Sequence, residues 1–533
     1  MTEKQPVYIL PENMSRTIGK DAQRNNILAA KVVADIVKTT LGPKGMDKML
    51  VDSAGEIIIT NDGVTILREM EIEHPAAKMM VELAKTQELE VGDGTTTAAL
   101  LGGKLLENAE KLLDKNVHPT IIIKGYRLAA EKAIQISNDI SMPLKERIVL
   151  EQIAQTAMTG KGAEGNKEKL ASLTVKAVEQ IAAGKIIDLN DIKIEKVKGD
   201  SVADSELIQG IVLDKERATQ EMPIKISNAR ILLINIPLEL KNTETEAKIS
   251  VTTPEQLESF IHSEEMYIKE MTDKIIAAGV NVVFCQKGID DVAQYYLAKA
   301  GIFACRRISV SDLEKLARAT GGKIISNLAD INPILLGKAE TVEEVKKGED
   351  SLTYVSGCSN PKAVTIVIRG GTSHIIDEVE RAIKDGLGDV VSAIKSGKLV
   401  AGGGAAEIEI SRRLRIYSRT LSGKEQLAVE EFANALESIP EALAENAGLD
   451  PIEILTELKK HHDAGFTNHG INLFTNKIED TFARGIIEPL KIKTQAIISA
   501  TEVATMILRI DDVLVSKDNS QKIPKLQPNY QEE

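Results

Sequence analysis

Aromatic residues are scarce in this chain of 533 residues: tryptophan is absent, and Phe and Tyr together reach 3%. A stacking platform for single-stranded nucleic acid needs aromatic faces, so that class of function is not expected. Basic residues are in deficit, 66 Lys and Arg against 79 Asp and Glu, which leaves a formal charge of −13. Binding driven by phosphate neutralisation needs the opposite balance, so no nucleic-acid partner is expected. No apolar run approaches the ~20 residues that span a bilayer, so no membrane helix is expected either. The opening MTEKQPVYILPENMSR has no basic stretch followed by an apolar core; a secretory signal is not expected, and a cytoplasmic location is. Cysteine is limited to Cys285, Cys305 and Cys358, with no CxxC pair and no histidine at ligand spacing. That spacing supports neither a disulfide framework nor a zinc site, and three buried, inert thiols are expected. Neither HExxH nor HxH occurs. His461 and His462 precede Asp463, but adjacent side chains diverge on a helix, so a solvated helix end is the expectation.

What is present is an ordinary globular composition, 43% hydrophobic and 27% charged, long enough for about three or four domains at ~150 residues each. Apolar residues recur at three- and four-residue steps from Asp21 to Leu41, and Gly42-Pro43 stops the run. Helices are also expected over Thr95–Lys115, Ile121–Ile136, Lys145–Ala157 and Lys167–Ala183, then over Gln426–Glu437, Ile439–Ala447 and Pro451–His461. The β-branched run Glu56–Thr60 before Asn61-Asp62-Gly63 reads as a strand and a tight turn. The middle differs. Short β-rich runs at Arg230–Ile236, Val280–Cys285, Ile302–Arg307 and Lys323–Ser326 alternate with helical stretches at Gln256–Ala278, Asp290–Ala300 and Ser311–Ala319. That alternation predicts βαβ units from about Lys215 to Ser359, inserted into a helical domain whose halves meet. One more strand is expected at Ala363–Ile368, and the polar tail after Asp512 is expected to fray.

The sharpest motif is VGDGTTTAALL, Val91 to Leu101. Gly92-Asp93-Gly94 leads directly into a long helix whose first residues are Thr95, Thr96 and Thr97. Free N–H groups and the helix dipole favour anions there, phosphates above all, and Asp93 could hold Mg²⁺. An ordinary threonine cap remains the competing reading. Two further glycine junctions, Thr39 to Gly45 and Ala401 to Ala405, suit close approach by a ligand. Taken singly, each reads first as an ordinary helix boundary. Asp62 in its turn caps a helix or orients a water; Asp385 is a surface charge or a second such carboxylate.

Together these residues resemble a known family. TTLGPKGMDKMLVD (Thr39 to Asp52), ITNDGVTIL (Ile59 to Leu67), VGDGTTTAALL and GGGAAEIEISRRL (Gly402 to Leu414) are similar to the nucleotide-site motifs of group II chaperonins. QKGIDD (Gln286 to Asp291), VTIVIRGG (Val364 to Gly371) and IIEPLKIKTQAI (Ile486 to Ile497) extend the likeness over the whole chain. The archaeal branch is the nearer likeness and the eukaryotic cytosolic branch the next. The resemblance implies an ATP-hydrolysing chaperone subunit that encloses unfolded proteins in two stacked rings of identical or homologous subunits. It implies a multidomain α/β fold: a mostly helical equatorial domain (1–144 and 403–533), a small α/β intermediate domain (145–214 and 366–402) and an α/β apical domain (215–365). A helical lid protrusion would lie at about 243–275. By motif matching, Asp93 would bind Mg²⁺, and Gly94, Thr95, Thr96 and Thr97 would cradle the phosphates of ATP. Leu41, Gly42 and Pro43 would line the nucleotide, Gly403 and Glu488 would meet the ribose side, and Gly160 and Lys161 would sense the γ-phosphate. Asp62 and Asp385 would activate the attacking water. The family usually has Ala after that second Asp; Gly386 stands there instead and is expected to loosen the helix.

The lid segment carries Leu257, Phe260, Ile261, Ile268, Met271 and Ile275 on one helix face. The stripe either packs on its own domain or captures unfolded chains. A small-molecule phosphotransferase or ligase would use the same nucleotide site without an apolar lid. A purely structural ring subunit would be expected to lose Asp62 or Asp385, and both are present.

Overall fold

A computed structural model describes residues 14–51, 55, 57–162, 164–182, 187–239, 253–347, 350–359 and 361–516. In chain order its helices are α1 (Gly19–Lys38), α2 (Gly63–Glu69), α3 (Pro75–Val91), α4 (Thr95–Asp114), α5 (Pro119–Ile140), α6 (Arg147–Met158), α7 (Lys167–Ile181) and α8 (Pro254–Ala277). There follow α9 (Asp291–Lys299), α10 (Val310–Thr320), α11 (Ser373–Ser396), α12 (Ala405–Ser418), α13 (Glu425–Asn446), α14 (Pro451–Asp463) and α15 (Leu490–Leu508). The chain divides into two compact units, one made of Met1–Lys145 with Lys395–Glu533 and the other of Glu146–Ile394.

The first unit is helical. α4 lies at its centre, with its apolar positions from Ala98 to Leu112 buried, and packs with α1, α3, α5, α13 and α15 in one aliphatic core. The few aromatics are used sparingly: Tyr126 meets Phe432 edge to face at 5.7 Å and donates its hydroxyl to the Leu105 carbonyl at 2.7 Å. Three sequence expectations need correction here. α13 is a single helix with Pro440 inside it, where a break was expected after Glu437. Proline forfeits one backbone bond, but Pro440 is buried against Gly404 and the packing holds the helix together. The segment after Asp512 does not fray at once, because Asp512–Ser516 pairs antiparallel with Met14–Ile18 and Arg16 grips Asp512 at 2.6 Å. Residues 517–533 lie outside the described residues. His462 is not solvated either. Positions 454, 458 and 462 continue one buried face of α14, which places His462 in the core. There its Nδ1 faces Glu409 Oε2 at 3.0 Å and its Nε2 the His469 carbonyl at 2.8 Å.

A hairpin of Lys48–Val51 and Ile57–Thr60 has an unusual surface. Its paired residues Met49 with Ile59 and Val51 with Ile57 share one face, and all four side chains are exposed.

The second unit holds two sheets. In the larger one, Phe303–Cys305, Val282–Cys285, Lys225–Ile234 and Ile324–Ile325 pair in parallel, joined through α8, α9 and α10 as βαβ units require. The remaining strands, Gly337–Lys347, Asp350–Ser356 and Gly210–Leu213, continue it antiparallel. Helices cover both faces, α10 over one apolar cluster, α8 and α9 over another. All three thiols are buried in this unit. Burial pushes Cys285 and Cys358 up to about 11 and Cys305 to about 12, so they stay protonated and unreactive. The smaller sheet sets Val364–Gly370, buried throughout, between Ile192–Lys198 and Glu206–Ile208.

Helix α8 divides the apolar stripe read in the sequence. Ile268, Met271 and Ile275 are buried in the unit's core, whereas Phe260 is exposed. From Thr253 to Tyr267 no described side chain is buried. Residues 243–252 and the side chains of Leu257 and Ile261 lie outside the described residues.

α11 runs unbroken through Gly386, contrary to the expected loosening. A Cβ at that position would stand 2.7 Å from Met158 Cε, so the glycine lets α11 and α6 pack closely.

Candidate functional site

In the first unit several glycine-bearing loops gather at helix N-termini. Gly94 precedes α4 with φ +79°, a left-handed conformation that glycine adopts without strain, and no side chain caps the helix. The first-turn N–H groups at Thr95, Thr96 and Thr97 therefore keep the anion affinity of an uncapped end. Buried Gln87 fixes the loop, its Nε2 donating to the Asp93 carbonyl at 3.0 Å and to the Ile492 carbonyl at 3.2 Å. The Asp93 carboxylate is half-buried beside it.

Asp62 stands across from this end. Its Oδ2 accepts from Thr65 N at 2.9 Å and Thr65 Oγ1 at 2.6 Å, capping α2, and Oδ1 receives Thr95 Oγ1 at 3.5 Å. Gly63 makes the approach possible: a Cβ there would lie 2.6 Å from Thr96 Oγ1 and 3.2 Å from Thr96 N. So the motifs ITNDG and GDGTTT, separated by some thirty residues of sequence, meet at one point.

The other glycine junction adjoins them. Gly404 begins α12, again left-handed and uncapped. Gly403 accepts Ile471 N at 2.8 Å, and a Cβ on Gly402 would come 2.8 Å from Glu488 Oε1. Glu488 sits on strand Ile487–Pro489, paired with Lys398–Ala401. Burial raises its pKa, the Lys493 ammonium opposes that rise, and the charges of Glu407 and Asp93 add to it. Asp93 is thus within electrostatic reach of Glu488. The loop Leu41-Gly42-Pro43 is tied to the end of α13, where Asn446 Nδ2 donates to the Lys38 and Leu41 carbonyls at 3.0 and 2.9 Å. Leu41 and Gly42 pack on Leu443, which shares an apolar cluster with Ile471 and Leu473.

Lys161 and Asp385 belong to the second unit, where they form an ion pair of limited exposure. Gly160 precedes the lysine with φ +79°, and Glu378 Oε1 accepts Gly162 N at 2.7 Å, shaping the turn.

The donor set fits a nucleoside triphosphate with a divalent cation. An uncapped helix end and three hydroxyls suit phosphate, but Asp62 and Asp93 would repel it unless a cation lay between. Gln87, Thr65, Asn446, Glu407 and Lys493 support the site and were not singled out from sequence. Gln87 and Asn446 carry no motif of their own, and Lys493 was visible only as part of IIEPLKIKTQAI.

Comparison with known proteins identifies the family. Residues 33–518 match the TCP-1/cpn60 chaperonin family. The thermosome subunit alpha of Archaeoglobus fulgidus is 56% identical over 519 residues, covering 96% of this chain and 95% of that protein. Thermosome subunits of Methanopyrus kandleri and Pyrococcus horikoshii are 55% and 56% identical over 520 and 518 residues, covering 96% of this chain and 95% and 94% of those proteins. The chain belongs to the TCP-1/cpn60 chaperonin family, in its group II branch. It is a molecular chaperone subunit with ATPase activity and a multidomain α/β chaperonin fold. No helix among the described residues is long and apolar enough to cross a membrane.

Proposed function

We propose that ATP binds in the first unit with its phosphates on the N-terminus of α4, and that hydrolysis there drives enclosure and folding of unfolded proteins. The observation that carries the reading is the meeting of Asp62 with the uncapped Gly94–Thr97 turn that Asp93 precedes. The N–H groups and hydroxyls of Thr95, Thr96 and Thr97 hold phosphate oxygens. Asp93 binds Mg²⁺, which draws charge from the triphosphate when present. Leu41, Gly42 and Pro43 cover the nucleotide; Gly403 lets its ribose and base approach, and Glu488 accepts from the ribose. Asp62 and Asp385 orient a water; as its oxygen bonds to the γ-phosphorus and the bridging bond breaks, one carboxylate takes its proton. Lys161, matched by its motif to a sensor of the γ-phosphate, holds Asp385 in an ion pair.

The domain boundaries inferred from the sequence go with this reading: equatorial 1–144 and 403–533, intermediate 145–214 and 366–402, apical 215–365 with the lid at about 243–275. Subunits, identical or homologous, assemble in two stacked rings in the cytoplasm. The apolar face of Met49, Val51, Ile57 and Ile59 supports assembly, since exposed apolar patches mark contacts between proteins. The exposed half of α8 supports a lid. Light scattering of the protein purified alone, with turnover measured in Mg-ATP, tests the reading. A large ring that releases phosphate is expected; a monomer without ATPase activity overturns it.

A further inference from the structure

Glu488 belongs to a buried charge triad that no motif role accounts for. Lys493 rises from the first turn of α15, and its Nζ lies 2.7 Å from Glu407 Oε1 and 2.6 Å from Glu488 Oε2. The lysine and Glu407 are almost wholly buried, while Glu488 keeps a modest exposure. Burial acts to lower the lysine's pKa, yet the two carboxylates raise it well above its ordinary value, so the ammonium is kept. The two oxygens of Glu488 have different surroundings. Oε2 is held by Lys493, and Oε1 lies against the Cα of Gly402 next to Ile486, 2.8 Å from where a Cβ would stand, without a hydrogen bond among the described residues.

A carboxylate held by one oxygen presents the other in a fixed direction, and a buried charge without its counterion would turn away or take up a proton. We infer that Lys493 is a positioning residue for nucleotide recognition: anchored by Glu407, it fixes Glu488 so that Oε1 accepts from a ribose hydroxyl beside Gly402. The inference rests on the proposal that Glu488 meets the ribose. Lys493 touches no reacting atom and acts through Glu488. Its removal therefore changes which sugar is preferred and leaves turnover at saturation nearly intact.

The test compares KM and kcat for ATP, 2′-deoxy-ATP and 3′-deoxy-ATP in the assembled protein. Lys493→Met would strand two buried carboxylates, so the informative variant is Glu407→Gln with Lys493→Gln, in which the two amides can hydrogen-bond each other. We expect the wild type to favour ATP over at least one deoxy analogue by ~10-fold or more, the scale of one charge-assisted hydrogen bond. The double variant should lose that preference, with kcat within about 3-fold, while Glu407→Gln alone keeps it. A double variant that retains the wild-type preference overturns the role of Lys493. A wild type that hydrolyses ATP with no preference for the ribose hydroxyls instead overturns the placement of Glu488, a separate outcome. A general loss of packing would lower affinity for all three nucleotides alike, and that result also counts against a positioning role.

Discussion

The two units treat their proposed functional segments in opposite ways. In the helical unit, the loops that carry the site rest on a deep core: the apolar positions of α4 are buried for nearly its whole length below the turn of Gly94. In the sheet-containing unit, α8 leaves its core halfway, with Ile275 buried and Phe260 in solvent. A nucleotide site needs donors and carboxylates fixed to within a fraction of an ångström, and a packed core supplies that rigidity. A capturing or closing element needs surface that stays available, and a helix half whose described side chains are not buried supplies that. The division also suggests that binding chemistry and conformational response are encoded in separate parts of the chain.

The contrast can be broken or sharpened experimentally. The largest effect is expected at Asp385. Its replacement by Ala should leave ATP binding close to wild type and lower single-turnover hydrolysis by at least ~10²-fold, the usual scale for a positioned base. Wild-type-like hydrolysis would remove Asp385 from the mechanism. Next comes the core half of α8, where Ile275→Ala should cost about 2–5 kcal/mol in a denaturant titration. Phe260→Ser should stay within about 0.5 kcal/mol in the same measurement. Equal losses at both positions would erase the distinction between the halves. It follows that a lid deletion should stop before Ile268: removing 243–275 takes core residues with it, and the resulting instability would mask any loss of client protection from protease.

A smaller effect is expected at Gly63→Ala. The added methyl meets Thr96, so about 1–3 kcal/mol of strain should appear in the thermal midpoint, together with weaker nucleotide binding. An unchanged affinity would show that the close approach of α2 to α4 is not used. The smallest concerns acid. Burial acts to raise Glu409, but hydrogen bonds from His462, Arg412 and Arg413 overcome it and hold the carboxyl at about 2. Glu107 is likewise held at about 2, burial being outweighed by Lys104 and Lys31. A depressed carboxylate stabilises the fold above its unfolded value near 4.5 and loses that contribution as pH falls toward 2. The gap in midpoint between wild type and Glu409→Gln should therefore narrow over that window. A gap constant from pH 7 downward would contradict the pairing.

Much of this was legible in the sequence because it is local. The GDG turn before three threonines, the helix from Asp21 and the βαβ alternation each follow from neighbouring residues. What escaped depends on distant partners. Pro440 signals a break until Gly404 is seen packed on it; the segment after Asp512 looks loose until it meets Met14–Ile18. His462 had a local signal after all, since it continues the Ile454 and Leu458 face of α14, but the adjacent His461 and Asp463 obscured it. In the site, Asp62 and Thr95 carried motifs, whereas Gln87 and Lys493 become visible only through what they hold.

The central proposal is that nucleotide is bound by the unit built from the two chain ends, and that Asp385 affects hydrolysis and not binding. Calorimetric titration of Mg-ATP into the wild type, Asp93→Ala and Asp385→Ala tests it most directly. The account predicts that Asp93→Ala loses Mg-dependent binding, because a helix end alone does not neutralise a triphosphate, and that Asp385→Ala binds like the wild type. Unchanged Mg-ATP affinity in Asp93→Ala, or its loss in Asp385→Ala, would contradict it.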